Sequence, residues 1–350
     1  MPPLAAYRVS VCIPTCNRPN LLRRALNSVA SQTIRPYEVL VGDDGDDEAD
    51  RVAEVVRQIR ESSGLDVRLI RNSPSVGQGL NVAGLFGQAT GDAILLLHDD
   101  DELLPHSLQV LLEPLHDESI VAAFGKSEVV DELGNVNKSI TDALNRYYHR
   151  TPSNAGPIDC TRASALLQQF PASGYLVRLS ASRTASYADA ARFKNACDFA
   201  YNLTLATNCR GRFYFVDTIT HRYHISSNSL SCSPNGNSAV MAFGLATSQI
   251  GPEDAANSRL QIWLSDRSRV AIRQALKIGE IELAWRWFFG PYYRGQIASL
   301  SGLKTLILLL LRTVIRRRKQ LAALPFERES VVPEADLRRP ISAYKQEASH

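Results

Sequence analysis

Apolar residues in the first 125 positions follow two spacings that alternate along the chain. Runs in which every second residue or nearly every residue is apolar predict strands at 7–13, 37–42, 67–70, 93–97 and 120–124. Apolar residues three and four positions apart predict helices at 20–29, 49–62 and 79–88. Leu80 is expected on the inward face of the third helix. Strands that alternate with helices over short connections predict an α/β fold with a mixed, mostly parallel sheet flanked by helices.

The pattern is weaker after residue 125, and fewer elements can be predicted there. A turn is expected at 131–135, and a loop over the segment 145–160, which is rich in Pro, Ser, Asn and Gly. A helix at 191–206 and a strand at 212–216 are expected next. Helical spacing returns later and predicts a C-terminal helical appendage with helices at 252–277, 280–289 and 303–315.

Charge is spread unevenly over the 350 residues. The net charge is only +3, so nothing in the chain as a whole indicates a nucleic-acid partner. Residues 301–320 contain six Lys or Arg and no acidic residue, and their longest apolar run, 306–311, is too short to span a membrane. Two interpretations stay open: a helix that lies on an anionic membrane surface, and an amphipathic helix packed on the protein.

Cysteine spacing and the N-terminus predict a cytoplasmic protein. None of the six cysteines forms a C-x-x-C pair, so neither a zinc ribbon nor a redox motif is indicated. Cys12 and Cys197 are expected to be small buried side chains in a reducing compartment. The first residues contain one Arg followed by a strand, rather than the apolar segment of a signal peptide.

Three consecutive aspartates, Asp99, Asp100 and Asp101, directly follow the apolar strand predicted at 93–97. Like charges this close repel one another unless a cation or a set of hydrogen-bond donors joins them. A divalent metal such as Mg²⁺, held by few carboxylates together with substrate phosphates, is one solution. A solvated acidic turn that opens the next helix is the other.

The ends of the first three predicted strands carry further polar groups. The first strand is followed by the turn 14–18, the second ends in Asp43-Asp44-Gly45, and the third ends in Arg71-Asn72. Parallel strands place their carboxyl ends on one edge of the sheet, where ligands bind in open α/β folds. A nucleoside diphosphate needs such a set: a carboxylate for the base, cations for the phosphates and acidic residues for a metal.

Four segments, in the right order, resemble the family 2 glycosyltransferases, which have the GT-A fold. The run VSVCIPTCNR at 9–18 resembles the family's first strand and turn, and EVLVGDDG at 38–45 resembles its second strand. Arg71-Asn72, Gly77, Asn81 and Ala83 fall where the family has Asn-x-Gly-x-x-x-Ala-Arg-Asn. Residues 91–105 resemble the family's segment that runs from Gly-Glu through Asp-x-Asp-Asp to Pro. The resemblance covers about the first 105 residues.

The resemblance implies roles for single residues. Asp100 would be the principal ligand of Mn²⁺ or Mg²⁺, and Asp43 or Asp44 would bind the nucleobase. The implied nucleotide-binding residues are Pro14, Thr15, Asn17, Arg18, Asp43, Asp44, Arg71, Asn81 and Asp99. His98 stands where the family often has the first acid of its Asp-x-Asp-Asp pattern. This departure leaves open whether Asp99 or Asp101 assists Asp100.

Two later segments also resemble the family. Residues 195–203, NACDFAYNL, look like the segment that carries the family's catalytic base, so Asp198 is the predicted base. The alternative is an ordinary acidic residue at a helix N-terminus. Residues 221–224, HRYH, resemble the family's Tyr-Arg-x-His segment, which makes His224 a predicted ligand of the metal or the diphosphate. A structural histidine is the alternative there.

The implied activity is that of an inverting, metal-dependent glycosyltransferase. It would move a sugar from a nucleoside-diphosphate sugar, linked to UDP or dTDP, to a saccharide or lipid-linked acceptor in bacterial surface polysaccharide synthesis. Residues 1–235 would form the GT-A catalytic domain, with a nucleotide-sugar half at 1–125 and an acceptor half at 126–235. A helical region at 236–325 and a polar tail at 326–350 would follow. The expected location is the cytoplasm, peripheral on the inner membrane.

Three other functions remain as alternatives. A sugar-1-phosphate nucleotidyltransferase would normally have a Gly-rich loop after the first strand, and residues 14–18 contain no Gly. A dehydrogenase is less well supported, because Gly77-x-Gly79 is followed by Val82 where a third Gly belongs. A sugar- or lipid-binding scaffold without activity is the non-enzymatic alternative.

Overall fold

The structure of the protein is a computed structural model that describes residues 7–131, 133–159, 161–225 and 237–320. The chain divides into two compact units, Met1–Ser227 and Asn228–His350. The domain boundary predicted at residue 235 and the polar tail predicted at 326–350 lie outside the described residues, so both stay predictions.

Strands of the described residues in the first unit form one mixed sheet. They are β1 (Val9–Thr15), β2 (Glu38–Asp43), β3 (Val67–Arg71), β4 (Ala93–Leu96), β5 (Glu102–Leu103), β6 (Ile120–Val130), β7 (Gly156–Ile158), β8 (Tyr175–Arg178) and β9 (Arg212–His224). Their order across the sheet is β3-β2-β1-β4-β8-β6-β9-β5, and β7 also pairs with β9. The α/β class and the mixed sheet are confirmed.

The first four strands of the sheet are all parallel, as the strand-helix alternation predicts. β8 then pairs antiparallel with both β4 and β6. The predicted strand at 212–216 is correct but too short, because β9 continues to His224 along β6 and β5. This extension carries the segment 221–224 to Glu102, directly after the three aspartates.

Helices of the first unit cover the sheet. They are α1 (Pro19–Ala30), α2 (Ala49–Ser63), α3 (Gln78–Gln88), α4 (Ser107–Leu112), α5 (Lys138–Tyr147), α6 (Thr161–Leu166), α7 (Leu179–Ser182), α8 (Tyr187–Ala190) and α9 (Cys197–Asn208). α1 turns Leu22, Leu26 and Val29 into the core, where they are 0% exposed and pack with β1, β2 and β4. The predicted helices at 20–29, 49–62 and 79–88 are therefore confirmed.

The orientation predicted for α3 is wrong at Leu80, which is 43% exposed. The inward face is instead formed by Gly79, Val82 and Leu85. Gly79 lies against Ala191, and a Cβ at this glycine would come within 2.7 Å of the Ala191 Cα atom. The close contact fixes which face of α3 is buried, and Leu80 lies off that face.

Two predictions for the middle of the chain need correction. The segment 145–160, predicted as a loop, includes the end of α5, a 3-10 turn at Pro152–Asn154 and β7. Asn145 holds α5 on β6, since its side-chain amide donates to Ser127 O at 2.8 Å. The helix predicted at 191–206 is also not continuous, because a 3-10 segment at Ala191–Ala196 precedes α9 and Lys194 has a φ of 47°. Asp198 therefore lies in the first turn of a separate helix.

The second unit is helical in its described part. It consists of α10 (Ser238–Gln249), α11 (Pro252–Ala255), α12 (Ser258–Lys277), α13 (Ile281–Phe288) and α14 (Leu300–Gln320). The helix predicted at 252–277 is divided, because the Asn257 side chain accepts from Leu260 N–H and caps the start of α12. Phe288, Tyr293 and Leu309 are fully buried in the core of this unit. No helix of the described residues is long and apolar enough to cross a membrane.

Candidate active site at the carboxyl edge of the sheet

The two aspartates at the end of β2 have different surroundings. Asp44 accepts hydrogen bonds from Ser75 Oγ at 2.7 Å and from Asn72 Nδ2 at 3.1 Å. Its carboxylate also accepts from the backbone N–H groups of Val76 and Gly77, each at 2.8 Å. Four donors from one loop saturate this carboxylate, so Asp44 fixes the loop that leads into α3.

Asp43 has spare hydrogen-bonding capacity. Its side chain is 0% exposed, and Oδ1 accepts from Gly45 N–H at 3.2 Å. Oδ2 is buried and has no hydrogen-bond partner within the described part of the chain. Burial raises the pKa of Asp43. A buried acceptor at the end of a strand is suited to an N–H group of a ligand, since an unpaired acceptor is costly.

Asp99 points toward the turn after β1. Its Oδ2 atom accepts from Thr15 Oγ1 at 2.7 Å, and Oδ1 lies 3.4 Å from Arg18 Nη1. Burial and the charge of Asp100 raise the pKa of Asp99 to about 6. Thr15, Arg18 and Asp99 are therefore brought together, as their places at the ends of β1 and β4 predict.

Asp100 and Asp101 form the candidate metal site together with His98. One ligand atom of each of these three residues lies within 4.8 Å of the others. Asp101 is 3% exposed, and its Oδ1 atom has no hydrogen-bond partner among the described residues. Burial and the neighbouring Asp100 raise the pKa of Asp101. An orphaned buried carboxylate oxygen beside a second carboxylate fits a divalent cation.

His98 is the link between this cluster and Asp198. Its Nε2 atom lies 3.8 Å from Asp198 Oδ1. Burial alone would lower the pKa of His98, but the charges of Asp198, Asp100 and Asp101 outweigh it and raise the pKa to about 10. Mg²⁺ and Mn²⁺ favour carboxylate oxygens over imidazole nitrogens as ligands. The oxygen atoms of Asp100 and Asp101 are therefore the better-suited ligands.

Two further side chains hold Asp198 in place. Gln78 Nε2 donates to Asp198 Oδ2 at 3.1 Å, and Tyr187 OH donates to Oδ1 at 3.1 Å. Tyr187 is 2% exposed and its ring stacks on Tyr201 at a centroid distance of 4.0 Å. The carboxylate is thus oriented by residues from α3 and α8. Sequence patterns did not predict a role for Gln78 or Tyr187, because Gln78 is an unspecified position of its motif and Tyr187 lies in no motif.

His224 lies beside the aspartate cluster but outside the group of three candidate ligands. Its Nε2 atom is 2.6 Å from Glu102 Oε1. Burial, followed by the charge of Arg24, lowers the pKa of His224. His224, Arg24, Glu102 and Asp100 line a common cavity of about 430 Å³. The structure therefore places His224 at the wall of a cavity that Asp100 also reaches.

The remaining predicted residues lie along the same edge. Pro14 is buried within β1, Asn17 has a φ of 55° in the following turn, and Arg71 is exposed at the end of β3. Asn81 donates to Gly42 O at 2.8 Å and accepts from Asn72 Nδ2 at 3.1 Å. Its side chain is 4% exposed, so Asn81 braces the end of β2 from within.

Comparison with known proteins relates the first half of the chain to one family. Residues 10–168 match the family model described as glycosyl transferase family 2. A GalNAc(5)-diNAcBac-PP-undecaprenol beta-1,3-glucosyltransferase from Campylobacter jejuni is 28% identical over 134 residues, which are 38% of this chain and 42% of the relative. The chain spans between 36% and 42% of the length of the first curated relatives that it matches.

Solved structures show the same fold at low sequence identity. Residues 1–349 of TarS from S. aureus are 15% identical, with a TM-score of 0.56 over 91% of this chain and 94% of the other. That protein has also been solved in complex with UDP-GlcNAc. The mannosyltransferase PcManGT from Pyrobaculum calidifontis, in complex with GDP-Man and Mn²⁺, is 14% identical, with a TM-score of 0.51 over 89% of each chain. The segment 10–168 therefore matches glycosyltransferase family 2, and the chain shares the GT-A fold of the solved structures.

Proposed function

We propose that the chain is an inverting glycosyltransferase that moves a sugar from a nucleoside-diphosphate sugar to a hydroxyl group of a saccharide or lipid-linked acceptor. The observation that carries this proposal is the position of His98 between Asp198 and the two candidate metal ligands. Its imidazole lies 3.8 Å from the carboxylate of Asp198 and within 4.8 Å of ligand atoms of Asp100 and Asp101. A carboxylate base and a candidate metal site therefore lie side by side.

The edge of the sheet is assigned to the nucleotide donor. Asp43, whose buried Oδ2 atom has no partner in the described part of the chain, accepts from the N–H group of the nucleobase. Asp99 and Thr15 lie at the ribose, and Arg18 lies near the phosphates, 3.5 Å from Asp100. A uracil or thymine ring carries an N–H donor that suits Asp43, so UDP or dTDP is the proposed carrier. The solved TarS complex with UDP-GlcNAc is in line with this choice.

Asp100 and Asp101 are the proposed ligands of Mn²⁺ or Mg²⁺. Both cations accept carboxylate oxygens and keep positions for substrate phosphates. A bound cation supplies positive charge that offsets the charge developing on the leaving diphosphate. Arg222 and His224, which line the cavity next to Asp100, are assigned to contacts with that diphosphate.

Asp198 is the proposed general base. The acceptor oxygen bonds to the anomeric carbon as the bond from that carbon to the diphosphate oxygen breaks, and the acceptor proton passes to Asp198. A single displacement inverts the configuration at this carbon. Gln78 and Tyr187 hold the carboxylate through its two oxygens, which keeps it oriented for the transfer.

The reaction is placed on the cytoplasmic face of the inner membrane, in the synthesis of a bacterial surface polysaccharide. A Campylobacter relative is named for an undecaprenol-linked substrate, which supports a lipid-linked acceptor.

Product analysis with the purified chain tests the proposal. The chain is incubated with a panel of nucleotide sugars, saccharide and lipid-linked acceptors, and Mn²⁺ or Mg²⁺. Release of nucleoside diphosphate that depends on acceptor, cation and Asp198 is the expected result. Release of pyrophosphate would indicate a nucleotidyltransferase instead. Binding of a nucleotide sugar without any product from the whole panel would favour the inactive scaffold.

A further inference from the structure

α14 exposes an apolar stripe along its length. Leu300, Leu303, Ile307, Leu310, Leu311 and Val314 are between 49% and 71% exposed. They are spaced by three, four, three, one and three residues, so they lie on one side of the helix. Single exposed apolar side chains are common, but a continuous stripe of large ones marks an interaction surface.

The opposite side of α14 attaches the helix to the second unit. Thr305 and Leu309 are buried, and Thr305 Oγ1 accepts from Tyr293 OH at 3.0 Å. Trp285 Nε1 donates to Thr313 Oγ1 at 3.0 Å. These contacts fix the rotation of the helix about its axis. The apolar stripe therefore points away from the core of its own unit.

Positive charge borders the stripe. Lys304 and Arg312 are exposed beside it, and residues 300–320 contain six basic and no acidic residues. Two copies of this helix would bring basic side chains together without acidic partners. An anionic surface complements both the charge and the apolar stripe.

We propose that this face of α14 binds the surface of an anionic lipid bilayer. The helix lies in the plane of the bilayer, with the stripe in the boundary between head groups and acyl chains. Lys304 and Arg312 reach the phosphate level through their apolar stems. This proposal rests on the proposed function in one respect only: the membrane contact would give the site access to a lipid-linked acceptor. Binding to the bilayer itself does not require sugar transfer.

The test is co-sedimentation of the full chain with vesicles. One set contains phosphatidylcholine alone, and the other contains about one third phosphatidylglycerol, so that surface charge is the only difference. The parent chain is expected to bind the anionic vesicles and to be released by salt. Replacing Ile307 and Leu311 by serine should weaken the binding about tenfold or more, because apolar burial is lost. Lys304→Glu with Arg312→Glu should weaken it on anionic vesicles only.

Matched variants on α12 control for general effects. Ile262→Ser with Val270→Ser removes two exposed apolar side chains, and Arg273→Glu with Lys277→Glu reverses two exposed charges. Both pairs should bind vesicles like the parent. Thermal melting checks that all variants are folded.

Three results would overturn the proposal. These are no sedimentation of the full chain with anionic vesicles, equal binding of the α14 and α12 variants, and a two-copy assembly that the serine pair splits into single copies. The last result would assign the stripe to a second copy of the chain. Asp198→Asn should lose transfer and still bind vesicles normally. Normal vesicle binding by a parent chain that shows no transfer with any donor would count against the proposed reaction and not against this surface.

Discussion

The donor side and the base side of the candidate site are built in different ways. The donor side consists of residues at or just after the carboxyl ends of β1, β2 and β4, and its members come from the first 105 residues. The base side brings Asp198 from α9 to Gln78 of α3 and Tyr187 of α8. Strand ends converge because parallel strands share an edge, whereas the contacts of Asp198 depend on how separate helices pack. Changes on the two sides should therefore affect binding and turnover separately.

Removing the two central carboxylates gives the largest expected effects. Asp198→Asn should lower kcat by roughly 10²–10⁴-fold, because general-base catalysis is lost, and should leave nucleotide affinity near the parent value. Asp100→Asn should abolish transfer, and it should also make nucleotide binding independent of Mn²⁺. Calorimetry with nucleotide and Mn²⁺, together with initial rates, separates the two results. Near-normal turnover of Asp198→Asn would contradict the base assignment.

Substitutions at the neighbouring residues Asp43 and Asp44 should affect different properties, nucleotide binding and stability respectively. Asp43→Asn should weaken nucleotide binding by about tenfold to a hundredfold, because the acceptor for the nucleobase N–H is altered. It should leave thermal stability almost unchanged. Asp44→Asn should instead lower the free energy of unfolding by about 2 kcal/mol, because four donors lose a charged acceptor. Nucleotide titrations and denaturant unfolding of both variants provide the comparison.

Tyr187→Phe tests the support of the base. Loss of the hydrogen bond to Asp198 should lower kcat by about tenfold with little change in KM, since the carboxylate loses one orienting donor. Tyr201→Phe is the matched control, because its hydroxyl has no hydrogen-bond partner among the described residues and its ring stacks on the same tyrosine. Equal rates for the two variants would argue that Tyr187 only fills space.

The smallest expected effect is a dependence of thermal stability on pH, caused by the aspartates at the candidate metal site. Burial and Asp100 raise the pKa of Asp99 to about 6, and the same causes raise the pKa of Asp101. The folded chain holds these protons more tightly than the unfolded chain, so the free energy of unfolding falls as pH rises from about 4 through 6. Mn²⁺ binds the deprotonated carboxylates, so it should raise Tm more at about pH 8 than at about pH 5. Calorimetric melts with and without Mn²⁺ at the two pH values check this prediction. Asp101→Asn should reduce the difference between the Mn²⁺-induced rises of Tm at the two pH values.

Sequence patterns predicted the sheet edge better than the surroundings of the base. The strands β1 to β4, the parallel order and the meeting of Thr15, Arg18 and Asp99 follow from apolar spacing and strand ends. The break before α9 was not predicted, because the segment 191–196 contains no Pro or Gly to mark the departure from helical geometry at Lys194. The contacts of Gln78 and Tyr187 with Asp198 had no local signal.

The sequence by itself determined which residues could carry the chemistry. It placed acidic groups at the ends of apolar strands, and the backbone geometry of a parallel sheet then brings those ends to one edge. Tertiary structure alone decided which of these acidic groups remain available to bind a ligand. Four donors of one loop saturate Asp44, whereas one carboxylate oxygen of Asp43 has no partner among the described residues. Leu80 is exposed because Gly79 contacts Ala191. Hydrogen-bond saturation and helix rotation depend on residues far apart in the chain, so no local pattern could predict them.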